Sequence, residues 1–292
     1  MKKFLNFILL ILAATFIFTA CGASSESQSE ASGSSATTGS SSEAAVSSTV
    51  SNSATPSTNG VLKVGVDDTY PPMEFKDENN KTVGFDIDVA TEVAKRLNMK
   101  VEFVSNDWAG IFLALESNKF DAIISSVTRN DERLAKYAMS TPYIANAQVI
   151  VVPADNTTIT KPTDLTGKNV GVQVGTTADE SCTKYQKTTK FNLKKYDQVI
   201  QPFSDMKVGR IDAIVVDEVV ARYYVKKDPK HYKVSSARLT NEPIGMCFAK
   251  NNTDLRDKAQ KALDGMFADG TMKTLSEKWF NEDLTGNVKD IK

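Results

Sequence analysis

NKFDAIISS, residues 118–126, and VGRIDAIVVD, residues 208–217, repeat one pattern at two distant places in the chain. In both, a polar or charged turn leads through Asp-Ala-Ile into an apolar strand that ends in a polar residue. The use of the same strand twice favours two similar α/β lobes over one continuous sheet. The alternative is a common way of entering a buried strand, which would require no second lobe.

Short strand-like runs alternate with helical patterns from residue 60 onward, and this alternation is typical of an α/β fold. VLKVGV predicts a strand over 61–66, and apolar residues spaced four apart predict a helix over about 86–97. Further strands are expected at 101–106, 121–126, 147–152, 169–174, 210–217 and 244–250. Further helices are expected after Asp107, from Asn130 or Asp131, after the Gly-Thr-Thr turn at 175–177, from about 204, and over 218–227, 253–267 and 272–280.

The chain begins MKKFLNFILLILAATFIFTAC, in which two lysines precede an apolar run that ends near Ala20. This run is too short and wrongly flanked for a membrane span, and it predicts a secretory signal peptide over residues 1–20. Small residues before Cys21 indicate cleavage there and lipidation of its sulfur, although Phe18 stands where such signals commonly have Leu. The alternative is an ordinary signal peptide cut near Ala20. A lipidated Cys21 predicts a protein anchored at the outer face of the cytoplasmic membrane.

Residues 21–59 are rich in Ser, Ala and Thr, and no Lys or Arg occurs between Lys3 and Lys63. Such a stretch buries too little apolar surface to offset the entropy of ordering, so we expect a disordered linker. About 230 residues then remain from Gly60 onward, enough for one large domain or two lobes.

The composition excludes several classes of function. The formal net charge is −1, so no basic field indicates nucleic acid as a partner. After Cys21 the cysteines are Cys182 and Cys247, which lack the spacing of a zinc or redox site and fit small buried apolar side chains. The single histidine, His231, lies in a polar stretch, which argues against a Ser-His-Asp hydrolase. We therefore expect no metal and no cofactor.

Three segments contain residue types that together can hold a free amino acid by both ends. A zwitterion needs a fixed cation for its carboxylate, a fixed anion for its ammonium and a flat apolar wall for its side chain. The segments are SSVTRNDER (125–133), VVDE (215–218) and VDDTYPPMEF (66–75), joined by Trp108. Arg133 offers a guanidinium, which pairs bidentately with a carboxylate. Asp217 ends an apolar strand, where a carboxylate is costly unless it is paired.

Each of these residues also has an ordinary structural explanation. Arg133 fits a solvated helix residue, and Asp217 fits the N-cap of the helix that follows it. Tyr70 and Trp108 fit core positions. The combination of the segments, rather than any one of them, favours a binding site.

GFDIDVATEVAKRL, residues 84–97, resembles the signature stretch of the extracellular polar amino-acid-binding proteins of ABC importers, solute-binding family 3. Other segments match in the same order over essentially all of 60–292: VGVDDTYPPMEF, FDAIISSVTRNDER, STPYIANAQVIVV, GKNVGVQVGTT, GRIDAIVVDEV and ADGTMKTLSEKWF. The resemblance implies an α/β, type II periplasmic-binding-protein-like fold of two lobes. Lobe one would comprise 60–144 and 241–292, and lobe two 145–240, joined by crossing strands near 145–152 and 244–250.

The resemblance also implies a role for each residue of the site. Arg133 matches the position that binds the ligand carboxylate, and Asp217 matches the one that receives the ammonium. Tyr70 and Trp108 match the positions that sandwich the ligand side chain, and Asp67 matches the one that meets its head group. The rest of the implied site consists of Ser125, Ser126, Thr128, Gln173, Thr176 and Thr177.

The function that the resemblance implies is capture of a free polar L-amino acid between the lobes and its delivery to the permease of an ABC importer. Asp67 favours a basic ligand, namely arginine, lysine or histidine, while glutamine and cystine stay open. Gln173 stands where some glutamine binders carry Lys, and Asp68 replaces the usual small residue. Other functions on this fold are amino-acid sensing for a membrane receptor and, least favoured, a dehydratase. We expect a monomer that is not an enzyme.

Overall fold

The computed structural model describes residues 60–235, 238–286 and 288; the predicted signal peptide, Cys21 and the linker lie outside them. The first part of the chain contains β1 (Val61–Val66), β2 (Thr69–Tyr70), β3 (Glu74–Lys76), β4 (Thr82–Val83), α1 (Phe85–Arg96), β5 (Lys100–Ser105), α2 (Trp108–Glu116), β6 (Ala122–Ile123), α3 (Asp131–Lys136) and β7 (Ala138–Met139). The second part contains β8 (Gln148–Pro153), a 3-10 helix (Pro162–Leu165), β9 (Asn169–Gln173), α4 (Thr177–Tyr185), β10 (Asn192–Tyr196), α5 (Ile200–Lys207), β11 (Ala213–Asp217), α6 (Glu218–Lys227), β12 (Tyr232–Val234), β13 (Cys247–Phe248), α7 (Thr253–Ala268) and α8 (Thr271–Phe280). No helix of these described residues has the length and apolar character needed to cross a membrane.

Within the described residues the strands form two five-stranded sheets and one three-stranded sheet. The first sheet has the order β5-β1-β6-β13-β7, and the second has the order β10-β9-β11-β8-β12. The third is a small antiparallel ribbon, β2-β3-β4. We call the halves that carry the two larger sheets lobe 1 and lobe 2; the division of the chain at 144/145 and 240/241 stays a prediction.

The two repeated stretches of sequence supply the middle strands of the two larger sheets, β6 and β11. Each middle strand has a parallel neighbour on one side, β1 or β9, and an antiparallel neighbour on the other, β13 or β8. The repeated Asp-Ala-Ile pattern therefore corresponds to the same place in two similarly ordered sheets.

Three strands of lobe 2, β8, β9 and β11, are buried on both faces, as the continuous apolar sequences of β8 and β11 predict. Along β8, Val149 and Val151 pack into the large core that also contains α5 and α6, while Ile150 and Val152 pack into a separate core against α4. β11 alternates in the same way. This period of two sends alternate side chains of each strand to opposite faces of the sheet, and each face packs in its own core.

Two passages of the chain join the lobes, and they are hydrogen-bonded to each other. The amide of Ile244 donates to the carbonyl of Ile144 at 3.1 Å, and the amide of Glu242 donates to that of Asn146 at 2.8 Å. Ile244 also forms an isolated antiparallel bridge with Thr128. The joint between the lobes thus continues directly into the loop that carries the predicted binding residues.

Some element boundaries differ from the sequence prediction. The strand expected over 244–250 is regular only at β13, and α5 begins at Ile200 rather than near 204. The ribbon β2-β3-β4 was not predicted, because its strands are two or three residues long and too short to display a period.

Gly84 connects this ribbon to α1 and has a φ of 144°, a conformation that L-residues with a Cβ rarely adopt. A Cβ added there would collide with the carbonyl oxygen of Met73. Since the amide of Asp86 donates to that same carbonyl at 2.9 Å, the ribbon cannot move away without losing a buried hydrogen bond.

We therefore expect Gly84→Ala to lower the free energy of unfolding by about 3 kcal/mol, from backbone strain and overpacking together. Gly167→Ala is the matched control, because Gly167 also has a positive φ, 75°, but nothing lies within 4 Å of the position of its Cβ. Its cost should be about 1 kcal/mol. Urea denaturation measures both, and equal losses would contradict the assigned close approach.

Candidate functional site

The predicted site residues come together where the carboxyl ends of parallel strands in both lobes face each other. Asp67 directly follows β1 and Ser125 follows its parallel neighbour β6 in lobe 1. Gln173 ends β9 and Asp217 ends its parallel neighbour β11 in lobe 2. This is the edge at which open α/β sheets bind ligands.

A cavity of about 20 Å³ lies between the lobes. It is lined by every residue that the sequence predicted for the site and by Glu74, which it did not predict. The predicted residues are Asp67, Tyr70, Trp108, Ser125, Ser126, Thr128, Arg133, Gln173, Thr176, Thr177 and Asp217. The structure thus places them around one space, while their role in binding stays a prediction.

Arg133 is the cation of this cavity and is only 7% exposed. Its guanidinium carbon lies 5.5 Å from the ring centre of Trp108 and 5.1 Å from that of Phe112. Nη1 donates to the carbonyl of Thr128 at 3.1 Å, which occupies one of the five N–H groups of a guanidinium. Burial lowers the pKa of Arg133 from its ordinary value, which nevertheless leaves the group a cation at neutral pH.

The backbone amide of Arg133 is already occupied. Free backbone N–H groups at the start of a helix can attract an anion, but this amide has a partner within the protein. The side chain of Asn130 caps α3 and accepts a hydrogen bond from the amide of Arg133 at 2.9 Å. The side chain of Arg133, rather than its amide, therefore carries the attraction for an anion.

Asp217 is the anion that lobe 2 contributes, and it is 5% exposed. Its oxygens accept hydrogen bonds from the hydroxyl of Tyr70 at 2.8 Å and from Nε2 of Gln148 at 2.7 Å. It stands at the N-cap position of α6, but its side chain makes no capping hydrogen bond. Burial, followed by the charge of Glu242, raises the pKa of Asp217 to about 6. The carboxylate is therefore directed at the cavity and not at the helix.

Asp67 and its neighbour Asp68 have separate surroundings. Asp67 accepts hydrogen bonds from Thr69 Oγ1 and from Gln173 Nε2, both at 2.7 Å, and burial raises its pKa. Asp68 instead forms an ion pair with Lys76 at 2.8 Å and does not line the cavity. Of the two adjacent carboxylates, only Asp67 is thus available to a ligand.

Three hydrogen bonds in this region cross from one lobe to the other. Two are those of Tyr70 with Asp217 and of Gln173 with Asp67. In the third, Nε1 of Trp108 donates to the carbonyl of Gly175 at 2.9 Å. These bonds draw the two walls together and account for the small volume of the cavity.

Glu74 is the residue that sequence reasoning missed. It is 1% exposed, and its Oε1 accepts a hydrogen bond from Ser125 Oγ at 2.8 Å. Burial, followed by the charge of Asp86, raises its pKa well above the ordinary value. The sequence contained one signal for it, a carboxylate between Met73 and Phe75. Burying an acidic residue within an apolar run costs free energy unless its side chain is paired or hydrogen-bonded.

The remaining candidates for chemistry lie elsewhere. No cluster of three or more His, Cys, Asp or Glu residues among the described ones could hold a metal ion. Cys182 and Cys247 are buried free thiols, as expected. His231 is partly exposed and pairs with Asp228 at 2.7 Å.

The chain matches the family model of the bacterial extracellular solute-binding proteins, family 3, over residues 62–282. It is 37% identical over 227 residues to the L-cystine-binding protein TcyJ of Escherichia coli strain K12, a match that covers 77% of this chain and 85% of that one. It is 35% identical over 235 residues to the histidine-binding periplasmic protein of the same strain, covering 77% and 89%.

Solved structures give the same result for the fold. A structure described as an ancestral arginine-binding protein bound to arginine is 43% identical to this chain, with a TM-score of 0.74, and the match covers 76% of this chain and 99% of that one. The expected type II periplasmic-binding-protein-like fold is confirmed by this likeness. By sequence and by fold, the chain belongs to the bacterial extracellular solute-binding proteins of family 3.

Proposed function

We propose that this protein captures a free amino acid outside the cell, in the cavity between its lobes, and delivers it to an ABC importer. The observation that carries the proposal is the pair Arg133 and Asp217, two buried opposite charges that face one cavity from opposite lobes. A zwitterionic α-amino acid supplies the counter-charge that each requires. The named relatives are binding proteins for cystine, histidine and arginine, which supports the same class of ligand.

A basic amino acid fits the charges of the cavity better than an acidic one. Asp67 and Asp217 are two carboxylates that line the cavity, and Arg133 is the cation among the lining residues. After the ligand's own carboxylate and ammonium have taken Arg133 and Asp217, Asp67 is left to meet the head group. A cationic head would replace the amide of Gln173 as its partner, whereas an acidic head would be repelled.

Ligand binding must exchange contacts that now join the lobes. The ammonium would take one oxygen of Asp217 in place of the hydroxyl of Tyr70, and the tyrosine ring would then lie against the ligand side chain. A ligand shifts the equilibrium between an open and a closed form only by the difference between its affinities for the two forms. Contacts to both lobes exist only in the closed form, so they favour closure around the ligand. The closed form would be the one presented to the transporter.

Several alternatives remain within this family. Glutamine would use the same Arg133 and Asp217 but donate a neutral amide to Asp67. Cystine would need room for a second amino-acid group. Sensing for a membrane receptor would use the same cavity with another partner, and copurification with a permease and an ATPase would argue against it. A dehydratase would convert its ligand into a product. Two opposite charges that hold the ends of an amino acid are enough for binding and do not indicate catalysis.

The amino-acid class is tested by titration calorimetry on residues 60–292, unfolded and refolded to remove any carried ligand. We expect arginine, lysine or histidine to bind in preference to glutamine and cystine, because Asp67 offers a carboxylate to the head group. Selective binding of glutamine or cystine would overturn that role for Asp67. Failure of every common L-amino acid and cystine to bind would contradict the proposed function.

The adjacent carboxylates provide a matched pair of variants for the same titrations. Asp67→Asn should weaken the binding of a basic ligand by about 2 kcal/mol, roughly 30-fold in Kd, because the lost charge is buried. Asp68→Asn removes a carboxylate that is bound to Lys76 outside the cavity, so its effect should stay within about 0.5 kcal/mol. Equal effects of the two variants would show that Asp67 does not meet the ligand.

Removal of Arg133 tests the carboxylate end of the ligand. Arg133→Ala should raise the Kd by roughly 100-fold, about 3 kcal/mol, and Arg133→Lys should recover part of this, since Lys lacks the bidentate fork. Lys136→Ala, on the same helix with a side chain that is 60% exposed, is the control and should bind normally. Binding by Arg133→Ala within threefold of the parent would reject this role.

The proposed lipid anchor at Cys21 makes the protein a surface lipoprotein of an extracellular family. Its support is the sequence alone, through the small residues before Cys21 and the linker of residues 22–59. We expect mass spectrometry of the mature protein to find a diacylglyceryl group on Cys21, and Cys21→Ser to release the protein from the membrane fraction. An unmodified mature N-terminus would refute the anchor.

A further inference from the structure

We propose that Glu74 and Asp86 hold a single proton between them beneath the ligand cavity, and that neutral Glu74 is a positioning residue for the cavity wall. The inference rests on the proposed function, because it concerns the same cavity. Neither residue was predicted from the sequence to belong to the site. Glu74 lines the cavity, and Asp86 lies behind it in the first turn of α1.

The hydrogen bonds around the pair show where the proton lies. Both oxygens of Asp86 already accept, one from the amide of Ser126 at 2.7 Å and one from the hydroxyl of Tyr143 at 2.8 Å. Oε1 of Glu74 accepts from Ser125, whereas its Oε2 is buried and has no donor as a partner. The two carboxyl groups interact directly, and a proton on one of them would replace their repulsion by a hydrogen bond. Oε2 of Glu74 is the position left for it.

The surroundings of the pair favour one proton rather than none. Glu74 is 1% exposed and Asp86 is fully buried, and no Lys, Arg or His of the described residues forms an ion pair with either. The other titratable groups that face them are Asp67 after β1, Tyr70 on β2 and Tyr143, all of them acids. Burial raises the pKa of Asp86 to about 6, and burial, followed by the charge of Asp86, raises the pKa of Glu74 well above its ordinary value. Because two ionised carboxylates cannot share a dry site without a cation, we infer that one of the pair keeps a proton.

The pair positions two neighbouring residues of the cavity wall. The hydroxyl of Ser125 donates its hydrogen bond to Glu74. Its oxygen is therefore oriented to accept a hydrogen bond from the amide of Asp67, at 3.0 Å. The amide of Ser126, whose φ of 49° is unusual for a residue with a side chain, is held by Asp86. Glu74 thus acts on the ligand through Ser125 and the placement of Asp67.

The proton gives this arrangement a definite pH dependence. A folded-state pKa above the unfolded value, about 4.3 for Glu, means that the folded protein binds the proton more tightly. The stability associated with neutral Glu74 is fully present below the unfolded-state pKa of Glu, about 4.3. It is lost progressively as the pH rises from there toward the folded-state pKa. Gln at position 74 can accept from Ser125 and donate to Asp86, but it has no proton to lose.

The experiment compares Glu74→Gln, Glu74→Ala and the exposed control Glu78→Gln with the parent protein, by thermal unfolding between pH 4.5 and 8.5. We expect the Tm of Glu74→Gln to rise relative to the parent as the pH increases, while the difference for Glu78→Gln stays constant. In calorimetry with arginine, Glu74→Gln should bind at least tenfold more tightly than Glu74→Ala. A constant or widening loss of Tm for Glu74→Gln with rising pH would overturn the proposal.

Infrared difference spectra provide a second measurement. They compare the unliganded parent with its variants and do not depend on ligand binding or on unfolding. At pH 7 the parent should show the C=O stretch of a buried protonated carboxyl group, and this band should be absent from Glu74→Gln and retained in Glu78→Gln. If the parent has no such band, the shared proton is rejected. Since both the infrared and the thermal measurements use unliganded protein, they decide this inference even if no amino acid binds.

Discussion

A buried charge must meet an opposite charge or a dense set of hydrogen bonds, and this constraint governs the space between the lobes. Arg133 is enclosed by Trp108 and Phe112 and donates to a neutral carbonyl. Asp217, on the other lobe, is held by the neutral donors Tyr70 and Gln148. Each charge is thus stabilised by dipoles rather than by a counter-ion, and a zwitterion brings the opposite charge to both at once.

The fold makes this arrangement possible by using one sheet plan twice. β6 and β11 occupy the middle of similarly ordered sheets, so the polar residues at their carboxyl ends reach the same space from opposite sides. The hydrogen-bonded passages at Ile144 and Ile244 connect the lobes near that space. In the proposed function, ligand contacts replace the hydrogen bonds that now cross the cavity.

Much of this structure was predictable because its signals are local. The long periodic elements, such as α1, β1 and α6, were placed within a few residues, and the apolar strand before Asp217 marked that carboxylate as unusual. The ribbon β2-β3-β4 was not predicted, because its strands are too short to show a period. Glu74 was missed for a related reason: its importance depends on Asp86 and Ser125, which only the tertiary fold brings to it. The extent of the joint near Ile244 likewise depends on pairing between distant passages.

The central claim is that the two ends of an amino acid are read by Arg133 and Asp217 from opposite lobes. A crystal structure of the protein with the amino acid that binds it most tightly tests this most directly. We expect the ligand carboxylate on the guanidinium of Arg133 and the ammonium on Asp217, with the side chain between Tyr70 and Trp108. A ligand whose carboxylate lies away from Arg133, or whose ammonium contacts only lobe 1, would contradict it.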